Sequence, residues 1–470
     1  MDIFTKPINV AFVAAVILAV SGFVVRSAVT EGDGFIITLA LFGMFLCFCL
    51  LNKKIFVFLT CCALASVNLN LVGVDPGDVL IPGLLFIGLL LGHLNIHSLR
   101  FPSLLTSFFA AFVFFYVVSI VINEFIPLFV MHLISNVAFL CFLKLYVDSE
   151  KRMRQVLLSF LAGAGATSIL AVAAILGLWT PGEMFFELVG NLRYMALISD
   201  PNILAVLTVP LALWLLDELL DPKLLTASRW IPSVLLVLGL VQIGLTQSRS
   251  GWLNLLVCLC CYISWDVFKK RIEKAILVGS IIIVILSTSV GLLLSFGVGD
   301  TLLDRLDSLM VRASQEEEDR FSLVYTRNAI DLAFDHPFGV GAGLTGQRLE
   351  QVSIHGSFIG AHNSYIQILS ENGWGTFLAF VAILTSIGLA LVTKMKGVEA
   401  RFGLSYQFLT CALLGLAVNA MFQDLIEWQV AWIFPALATS VLWPRPRVLS
   451  LPHTSGYQLR STTLGQRKHA

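Results

Sequence analysis

Short polar segments rich in arginine, histidine and hydroxyl side chains interrupt an otherwise apolar chain. An arginine guanidinium binds phosphate or carboxylate oxygens in a bidentate manner, and a histidine exchanges a proton near neutral pH. Together these residue types suit the binding of an anionic group combined with proton transfer. The candidate residues are Arg193, Arg249, Arg327, His362 and Asn363, with Asp200, Asn202, Ser248 and Tyr325 beside them.

Each segment also has a purely structural interpretation, and the residues alone leave both open. The sequence Asp-Pro-Asn at 200–202 is a good helix start, because proline suits the first turn and the flanking polar side chains can cap it. Arg249 could extend towards lipid headgroups beside Trp252, or hydroxyls and helix-end N–H groups could hold it as a phosphate ligand. The glycines of residues 339–343 permit either close approach to a ligand or a compact turn.

Composition requires that a membrane-embedded helix bundle positions these segments. Of the 470 residues, 57 % are hydrophobic and 13 % are charged, whereas soluble domains are about a quarter charged. The cysteines lie mostly within apolar runs, which indicates small buried residues and not disulfides or a zinc site. Since a spanning helix needs about 20 apolar residues, we predict about 14 spans, with 12–14 compatible with the sequence. They are centred near residues 17, 43, 64, 87, 113, 137, 167, 209, 239, 259, 286, 384, 412 and 436.

The basic residues predict the direction in which the chain crosses the membrane. With a cytoplasmic N-terminus, 22 of the 30 basic residues fall inside and 8 outside, which is the positive-inside pattern. All 12 lysines are then cytoplasmic, so every outer basic residue is an arginine. Topology alone does not select arginine over lysine, so this choice favours anion binding at the outer face, although chance and acidic neighbours such as residues 316–319 are an alternative.

We therefore expect an all-α, polytopic transmembrane bundle with one long helical external loop and both termini in the cytoplasm. Residues 1–297 are predicted to form transmembrane helices 1–11, and residues 298–374 an external loop that carries catalytic elements. Residues 375–444 are predicted to form helices 12–14, and residues 445–470 a polar, basic and disordered cytoplasmic tail. His362 and Asn363 lie where the loop re-enters the membrane, a depth at which an ionisable group is costly and indicates function.

Taken together, the polar segments resemble the O-antigen ligase and O-antigen (exopolysaccharide) polymerase superfamily of bacterial membrane glycosyltransferases. The resemblance covers about residues 185–395, and one departure is Ser250, which stands between the arginine and glycine of the second motif. The motifs, in order, are Arg193 with Asp200-Pro201-Asn202, Thr246 to Gly251, Arg327 with His336 to Gly341, and His362-Asn363 followed after nine residues by Gly373 and then Thr376.

The resemblance implies an enzyme of the bacterial inner (cytoplasmic) membrane that moves a glycan from undecaprenyl diphosphate to an acceptor at the outer, periplasmic face. It implies inversion at the sugar carbon and no metal or other cofactor. The implied partners are the lipid-linked donor, a glycan or lipid A–core acceptor, membrane lipids, and chain-length regulator or flippase proteins, but no nucleic acid. The implied roles are His362 as the base, Asn363 orienting it or the sugar, Arg193, Arg249 and Arg327 binding the diphosphate, and Asp200, Asn202, Ser248 and Tyr325 supporting them.

Two alternatives accompany this expectation. The first alternative lies within the superfamily, where a polymerase joins repeat units and a ligase passes the finished glycan chain to lipid A–core. The length of the polypeptide and the number of spans favour the polymerase. The spacing of the histidine motif fits the ligase. The alternative from another class is a flippase for lipid-linked sugars. Transporters place charged or broken-helix sites near the bilayer midplane within paired repeats, whereas these spans are almost free of charge and show no repeat.

Overall fold

The structure is a computed structural model, and only part of the chain is described in it. The described residues are 52–67, 76–96, 99–125, 127–175, 186–187, 193–194, 200–225, 229–295, 316–349, 362–394, 401–425 and 429–443. The predicted spans centred near residues 17 and 43, and the predicted tail, lie outside them.

Helices make up nearly all of the described chain, so the all-α prediction is confirmed. The exception is a two-residue antiparallel ladder of β1 (Phe186–Glu187) and β2 (Arg193–Tyr194). The helices are α1 (Lys53–Ser66), α2 (Pro76–Leu90), α3 (Ser103–Ile122), α4 (Pro127–Tyr146), α5 (Glu150–Ile175), α6 (Pro201–Leu220), α7 (Trp230–Thr246), α8 (Arg249–Phe268), α9 (Ile272–Ser295), α10 (Glu316–Asp335), α11 (Thr345–Arg348), α12 (Ser364–Lys394), α13 (Tyr406–Asn419) and α14 (Gln429–Leu442).

The chain is a multi-pass membrane protein, but the prediction of about 14 spans is not confirmed. Every predicted apolar run that falls on described residues coincides with a helix. Among these residues, 5 helical segments are long and apolar enough to cross a membrane: Ser103–Ile122, Glu150–Leu170, Pro201–Leu220, Arg249–Phe268 and Ser364–Lys394. Others, such as α7 and α13, are apolar but shorter. An apolar run therefore predicts the helix better than it predicts a full crossing.

Helix α6 forms the centre of the bundle. It is apolar around its whole circumference, as expected for a helix that is enclosed on all sides. Its residues from Ile203 to Glu218 are buried without exception, and it packs against α7, α8 and α13. These three neighbouring helices thereby hold the start of α6, which carries the Asp-Pro-Asn segment, in place.

Helix α12 is interrupted at Gly373, whose φ of 81° and ψ of 175° are not helical. This backbone conformation is nearly restricted to glycine. The interruption frees the carbonyls of Ser370 and Glu371, which accept hydrogen bonds from the N–H groups of Val340 at 2.9 Å and Gly341 at 3.0 Å. The loop that follows α10 is thus docked into the break of α12.

Close backbone packing explains the glycines on both sides of this junction. A Cβ atom on Gly339 would overlap the carbonyl of Glu371, and a Cβ atom on Gly373 would overlap that of Pro337. The N–H of Trp374 donates to the Pro337 carbonyl at 3.0 Å. Gly339 and Gly373 therefore allow close backbone contacts within the protein. This agrees with the compact-turn interpretation of the sequence.

Candidate active site

Two of the sequence motifs start neighbouring helices at the same end of the bundle. The Asp200 carboxylate accepts a hydrogen bond from the N–H of Asn202 at 2.6 Å and caps α6. Ser248 Oγ accepts one from the N–H of Gly251 at 3.1 Å and caps α8. The two first turns are in contact, since a Cβ atom on Gly251 would lie 2.5 Å from the Cβ of Ala205. The helix-start interpretation of Asp200 is confirmed.

Arg249 is the first residue of α8, and its side chain is exposed. Within the described part of the chain, its guanidinium has no hydrogen bond or ion pair. The hydroxyls of Ser248 and Ser250 lie on either side of it in sequence and are 3.1 Å apart. The N-terminal end of a helix carries partial positive charge and unpaired N–H groups. Arg249 therefore adds a full positive charge to an end that already favours anions.

His362 and Asn363 precede α12 and are held differently. Asn363 Oδ1 accepts hydrogen bonds from the N–H groups of Tyr365 at 3.0 Å and Ile366 at 3.2 Å, so it caps the first turn. The His362 side chain is 74 % exposed, and its Nδ1 lies 3.7 Å from Oδ2 of Asp424. Its backbone is left-handed with φ of 44°, an uncommon conformation outside glycine that carries strain and is frequent at functional sites.

The connection between α13 and α14 delivers Asp424 to this position. Ser364, the first residue of α12, donates its N–H to the Ala420 carbonyl at 2.8 Å and its hydroxyl to the Gln423 carbonyl at 2.6 Å. The N–H of Leu425 donates back to the Ser364 hydroxyl at 2.7 Å. These bonds hold the connection against the start of α12 on both sides of Asp424.

The charge state of Asp424 is set by burial and by its neighbours. Burial raises the pKa of its carboxyl, and the negative charge of Asp200 raises it further. His362 and the backbone N–H groups of Asn363 and His362 act in the opposite direction, and the net shift of the pKa is upward. The N–H of Asn363 donates to Asp424 Oδ1 at 2.9 Å. Asp424 therefore connects the Asp200 motif electrostatically with the His362 motif.

Helix α10 buries Tyr325 and leaves Arg327 exposed. Tyr325 is buried, and burial followed by the charges of Glu371 and Asp424 raises the pKa of its hydroxyl. Arg327 is two residues further on, which places it about 200° around the helix. Its side chain is 84 % exposed, with Nε 3.9 Å from Oδ2 of Asp331. The structure thus buries Tyr325 where the charges of Glu371 and Asp424 reach it, and leaves Arg327 on the opposite face of α10.

Only the backbone of Arg193 is described. Arg193 lies opposite Glu187 in the β1–β2 ladder, and β2 packs against α7. Its predicted role as an anion ligand remains a prediction.

An apolar cavity begins directly beside the candidate site. Its volume is about 520 Å³, and it lies between α8, α12, α13 and α14. Ser364 and Tyr365 line one end, and Val392 near the far end of α12 also belongs to its wall. Between them the lining is almost entirely apolar, with side chains such as Leu384 and Trp432. A long apolar chain could therefore extend from the site into the bundle.

Asp424 is the residue that the sequence motifs missed. It lies 62 positions after His362, in the connection between the last two apolar runs. Asp424 is acidic and stands at the predicted membrane boundary. An ionisable group at that depth costs free energy and indicates function, which is the same argument that identified His362. The motifs built on arginine and histidine do not contain it.

The comparison with known families places most of these residues in one domain. Residues 234–381 match the O-antigen ligase family (Wzy_C). The matched segment contains Arg249, Tyr325, Arg327 and His362, whereas Asp424 lies beyond its end. No curated protein matches the chain. The match at residues 234–381 confirms the resemblance to this superfamily.

Proposed function

Because residues 234–381 carry an O-antigen ligase domain, we propose that this membrane protein is a glycosyltransferase that uses a glycan linked to undecaprenyl diphosphate. The proposed orientation places both termini in the cytoplasm and the site at the outer face of the inner membrane. The observation that carries the proposal is the pair formed by His362 Nδ1 and Asp424 Oδ2, 3.7 Å apart, next to residues such as Ser364 and Leu425 that line an apolar cavity.

His362 is the proposed general base. With Nδ1 facing Asp424, Nε2 is left to accept the proton of the acceptor hydroxyl. The hydroxyl oxygen attacks the sugar carbon with inversion, the bond from that carbon to the phosphate oxygen breaks, and undecaprenyl diphosphate leaves with the electron pair. The Asp424 carboxylate stabilises the imidazolium that forms. A positioned base contributes about 10²–10⁴-fold in rate.

Asn363 acts in this proposal as a positioning residue. Its side chain is engaged in capping α12, and its N–H holds the Asp424 carboxylate at 2.9 Å. It therefore fixes the geometry of the His362–Asp424 pair, which favours the orienting role over contact with the sugar.

Arg249 is the proposed main ligand of the leaving diphosphate. It is exposed, it stands at the N-terminal end of α8, and α6 begins beside it. Positive charge placed where negative charge develops lowers the barrier for departure. Arg193 and Arg327 are proposed as further ligands, and Arg327 would meet the diphosphate from the exposed face of α10.

The apolar cavity is the proposed site for the first part of the lipid chain of the donor. Ser364 and Tyr365, which follow His362 and Asn363 in the chain, line this cavity, so the diphosphate would lie beside them and the isoprenoid chain within the cavity. Such a chain has no polar groups and needs only an apolar wall. A donor that is a lipid therefore fits a site at this position.

The proposed product is a polymer of glycan repeat units. The second candidate is a ligase that transfers finished polymer to lipid A–core, and the description of the matched family as O-antigen ligase favours it. Both reactions use the same donor group and the same base, and they differ in the acceptor.

Lipid-linked glycans in cells that lack the protein test the proposal. We expect single repeat units to accumulate on undecaprenyl diphosphate at the outer face, with wild-type protein but not His362→Ala restoring polymer. Long polymer stranded on the same carrier would indicate the ligase instead. Lipid-linked units trapped on the cytoplasmic side would contradict both, because they would indicate a flippase.

A further inference from the structure

Two phenylalanine side chains protrude from the external segment where α10 ends. Phe334 is 64 % exposed and Phe338 is 50 % exposed. Each square ångström of apolar surface left in water costs about 25 cal/mol, and adjacent exposed apolar side chains on a membrane protein indicate a contact surface. We refer to these two side chains as the Phe334–Phe338 patch.

The position of Phe334 relative to the membrane follows from Trp374. The two rings are 5.2 Å apart, and Trp374 Nε1 donates to the carbonyl of Ala333 at 3.1 Å. Trp374 is the first residue of α12 after the break at Gly373, and Leu378, one turn further on, is exposed. Since α12 is long and apolar enough to span a membrane, we expect the exposed Leu378 to face lipid and Trp374 to lie towards the membrane boundary, where aromatic residues are enriched. Phe334 lies at that level with it.

The position of Phe338 follows from a second helix. The same loop reaches α3, because a Cβ atom on Gly341 would overlap the carbonyl of Glu124, just beyond the end of that helix. Helix α3 is also long and apolar enough to span, and its last turn exposes Val121 and Ile122. The loop that carries Phe338 is therefore attached to two helices, α3 and α12, that are long and apolar enough to span a membrane and that expose apolar side chains such as Val121 and Leu378.

We propose that the Phe334–Phe338 patch inserts into the headgroup–acyl boundary of the lipid leaflet on the His362 side. The partner is the phospholipid surface itself. The patch lies near the exposed apolar side chains of α3 and α12, which favours lipid over a sugar as its partner. The phenyl rings also carry no polar group that could form hydrogen bonds with sugar hydroxyls. The consequence is that the end of α10 is held at a fixed height, with Tyr325 three turns back along the same helix. The proposal does not depend on glycosyl transfer.

Photocrosslinking in liposomes tests this surface. p-Benzoylphenylalanine replaces Phe334 or Phe338, an aromatic exchange at exposed positions, in full-length protein reconstituted with phosphatidylethanolamine and phosphatidylglycerol. The same probe at Leu378 marks a lipid-facing position, and at Gln347, exposed on α11, it marks a position expected in water. We expect phospholipid adducts at positions 334, 338 and 378, and none above background at position 347.

Two results would overturn the proposal. One is a phospholipid adduct at position 378 without one at 334 and 338, which would place the patch outside the membrane. The other is loss of the phospholipid adducts at 334 and 338 on addition of a lipid-linked oligosaccharide, with glycan adducts in their place, which would make the patch a sugar platform. Thermal unfolding midpoints of the probe-bearing proteins equal to that of wild type ensure that a missing adduct does not reflect misfolding.

Discussion

Two carboxylates at opposite ends of the helix bundle, those of Asp424 and Glu218, are held in different ways. At the end that carries the candidate site, His362 is exposed and meets Asp424 at 3.7 Å, longer than a hydrogen bond. At the other end, the buried Glu218 carboxylate is enclosed by the polypeptide that follows α6. It accepts hydrogen bonds of 3.0, 2.9 and 2.8 Å from the N–H groups of Lys223, Leu224 and Leu225, respectively.

Two lysines at that other end are engaged by backbone carbonyls, one of them (Lys144) buried and the other (Lys394) exposed. Lys144 is buried and donates to the carbonyls of Thr439, at 2.8 Å, and Trp443, while Lys394 donates to the Leu442 carbonyl at 2.7 Å. These carbonyls end α14, where a cation interacts favourably with the helix dipole. By contrast, the guanidinium of Arg249 at the start of α8 is exposed and has no hydrogen bond or ion pair within the described residues.

The comparison distinguishes charges that hold the fold from charges that are available to a substrate. A buried ionisable group must be paired, because an unpaired buried charge costs several kcal/mol. A group at the site can remain exposed and incompletely paired, because its missing partner is the substrate. Changes at the site end should therefore cost activity, and changes at the other end should cost stability.

The largest expected effect is that of His362→Ala. We expect the transfer rate to fall about 10²–10⁴-fold, because the base is lost, while the thermal unfolding midpoint stays unchanged. The matched control is His336→Ala, since His336 is also an exposed histidine of the external segment. Transfer assays with purified protein and a lipid-linked donor measure both variants, and near-normal product from His362→Ala would remove His362 as the base.

Asp424→Asn separates charge from shape at the same site. Asparagine can still accept the N–H of Asn363, but it cannot stabilise an imidazolium. Interactions with a charged partner contribute about 1.5–3 kcal/mol, so we expect a ten- to hundredfold loss of rate, at about 1.4 kcal/mol per factor of ten. An unchanged rate would mean that Asp424 serves only to hold the start of α12.

The same variant has an expected pH dependence. Because the pKa of Asp424 is raised, the folded protein binds this proton more tightly than the unfolded chain. The contribution of Asp424 to the free energy of unfolding is therefore greatest at low pH. It falls as the pH rises from the ordinary pKa of an aspartate through the raised pKa of Asp424. Thermal unfolding at several pH values should show that this fall is absent in Asp424→Asn, and a fall of equal size in both proteins would contradict the raised pKa.

Arg249→Lys tests whether the exposed arginine binds a diphosphate or anchors to headgroups. A lysine keeps the charge but loses the planar bidentate fork. We expect Arg249→Lys to lose about tenfold in kcat/KM for the donor, nearly as much as Arg249→Ala, since a hydrogen bond to a charged group contributes about 1.5–3 kcal/mol. Arg348→Lys, at an exposed arginine of α11, is the control, and full activity of Arg249→Lys would favour the anchor.

Local signals predicted the helices and their starts. Apolar runs and the Asp-Pro-Asn cap at 200–202 depend on neighbouring residues, and the structure has a helix at each described run and a cap at Asp200. The number of crossings could not be predicted in the same way. The length of an apolar run does not determine where a helix such as α13 begins and ends, because caps and tertiary contacts set those limits.

The candidate site was predicted only in part, because its decisive contacts are long-range. Tyr325 and Arg327 were both proposed, and helical spacing places them on opposite faces, but only packing against α12 determines which face is buried. Asp424 reaches His362 through hydrogen bonds of Ser364 to the connection between α13 and α14. No spacing within the sequence encodes that contact.

Gly373→Ala tests the junction that joins the loop after α10 to α12. Alanine would strain a backbone with φ of 81° and collide with the Pro337 carbonyl, and residues held in such conformations cost about 1–3 kcal/mol. We expect a lower unfolding midpoint together with reduced transfer. Gly279→Ala in helix α9 is the control, because a Cβ atom there also meets nothing within 4 Å, and we expect it to be neutral or slightly stabilising. Equal midpoints for the two variants would mean that the junction does not limit stability.

The smallest expected effect is that of Glu218→Gln, at the opposite end of the bundle. The amide keeps one acceptor oxygen but loses the charge that draws three N–H groups together, so we expect a loss of about 1–2 kcal/mol in stability. The transfer rate per folded molecule should not change, because no residue of the site contacts Glu218 within the described chain. Asp221→Asn is the control, since Asp221 forms an exposed pair with Lys223 at 3.0 Å and exposed pairs contribute about 0–1 kcal/mol. A loss of rate in Glu218→Gln with an unchanged unfolding midpoint would reverse the distinction between the two ends, because a buried and fully paired carboxylate would then be serving the reaction and not the fold.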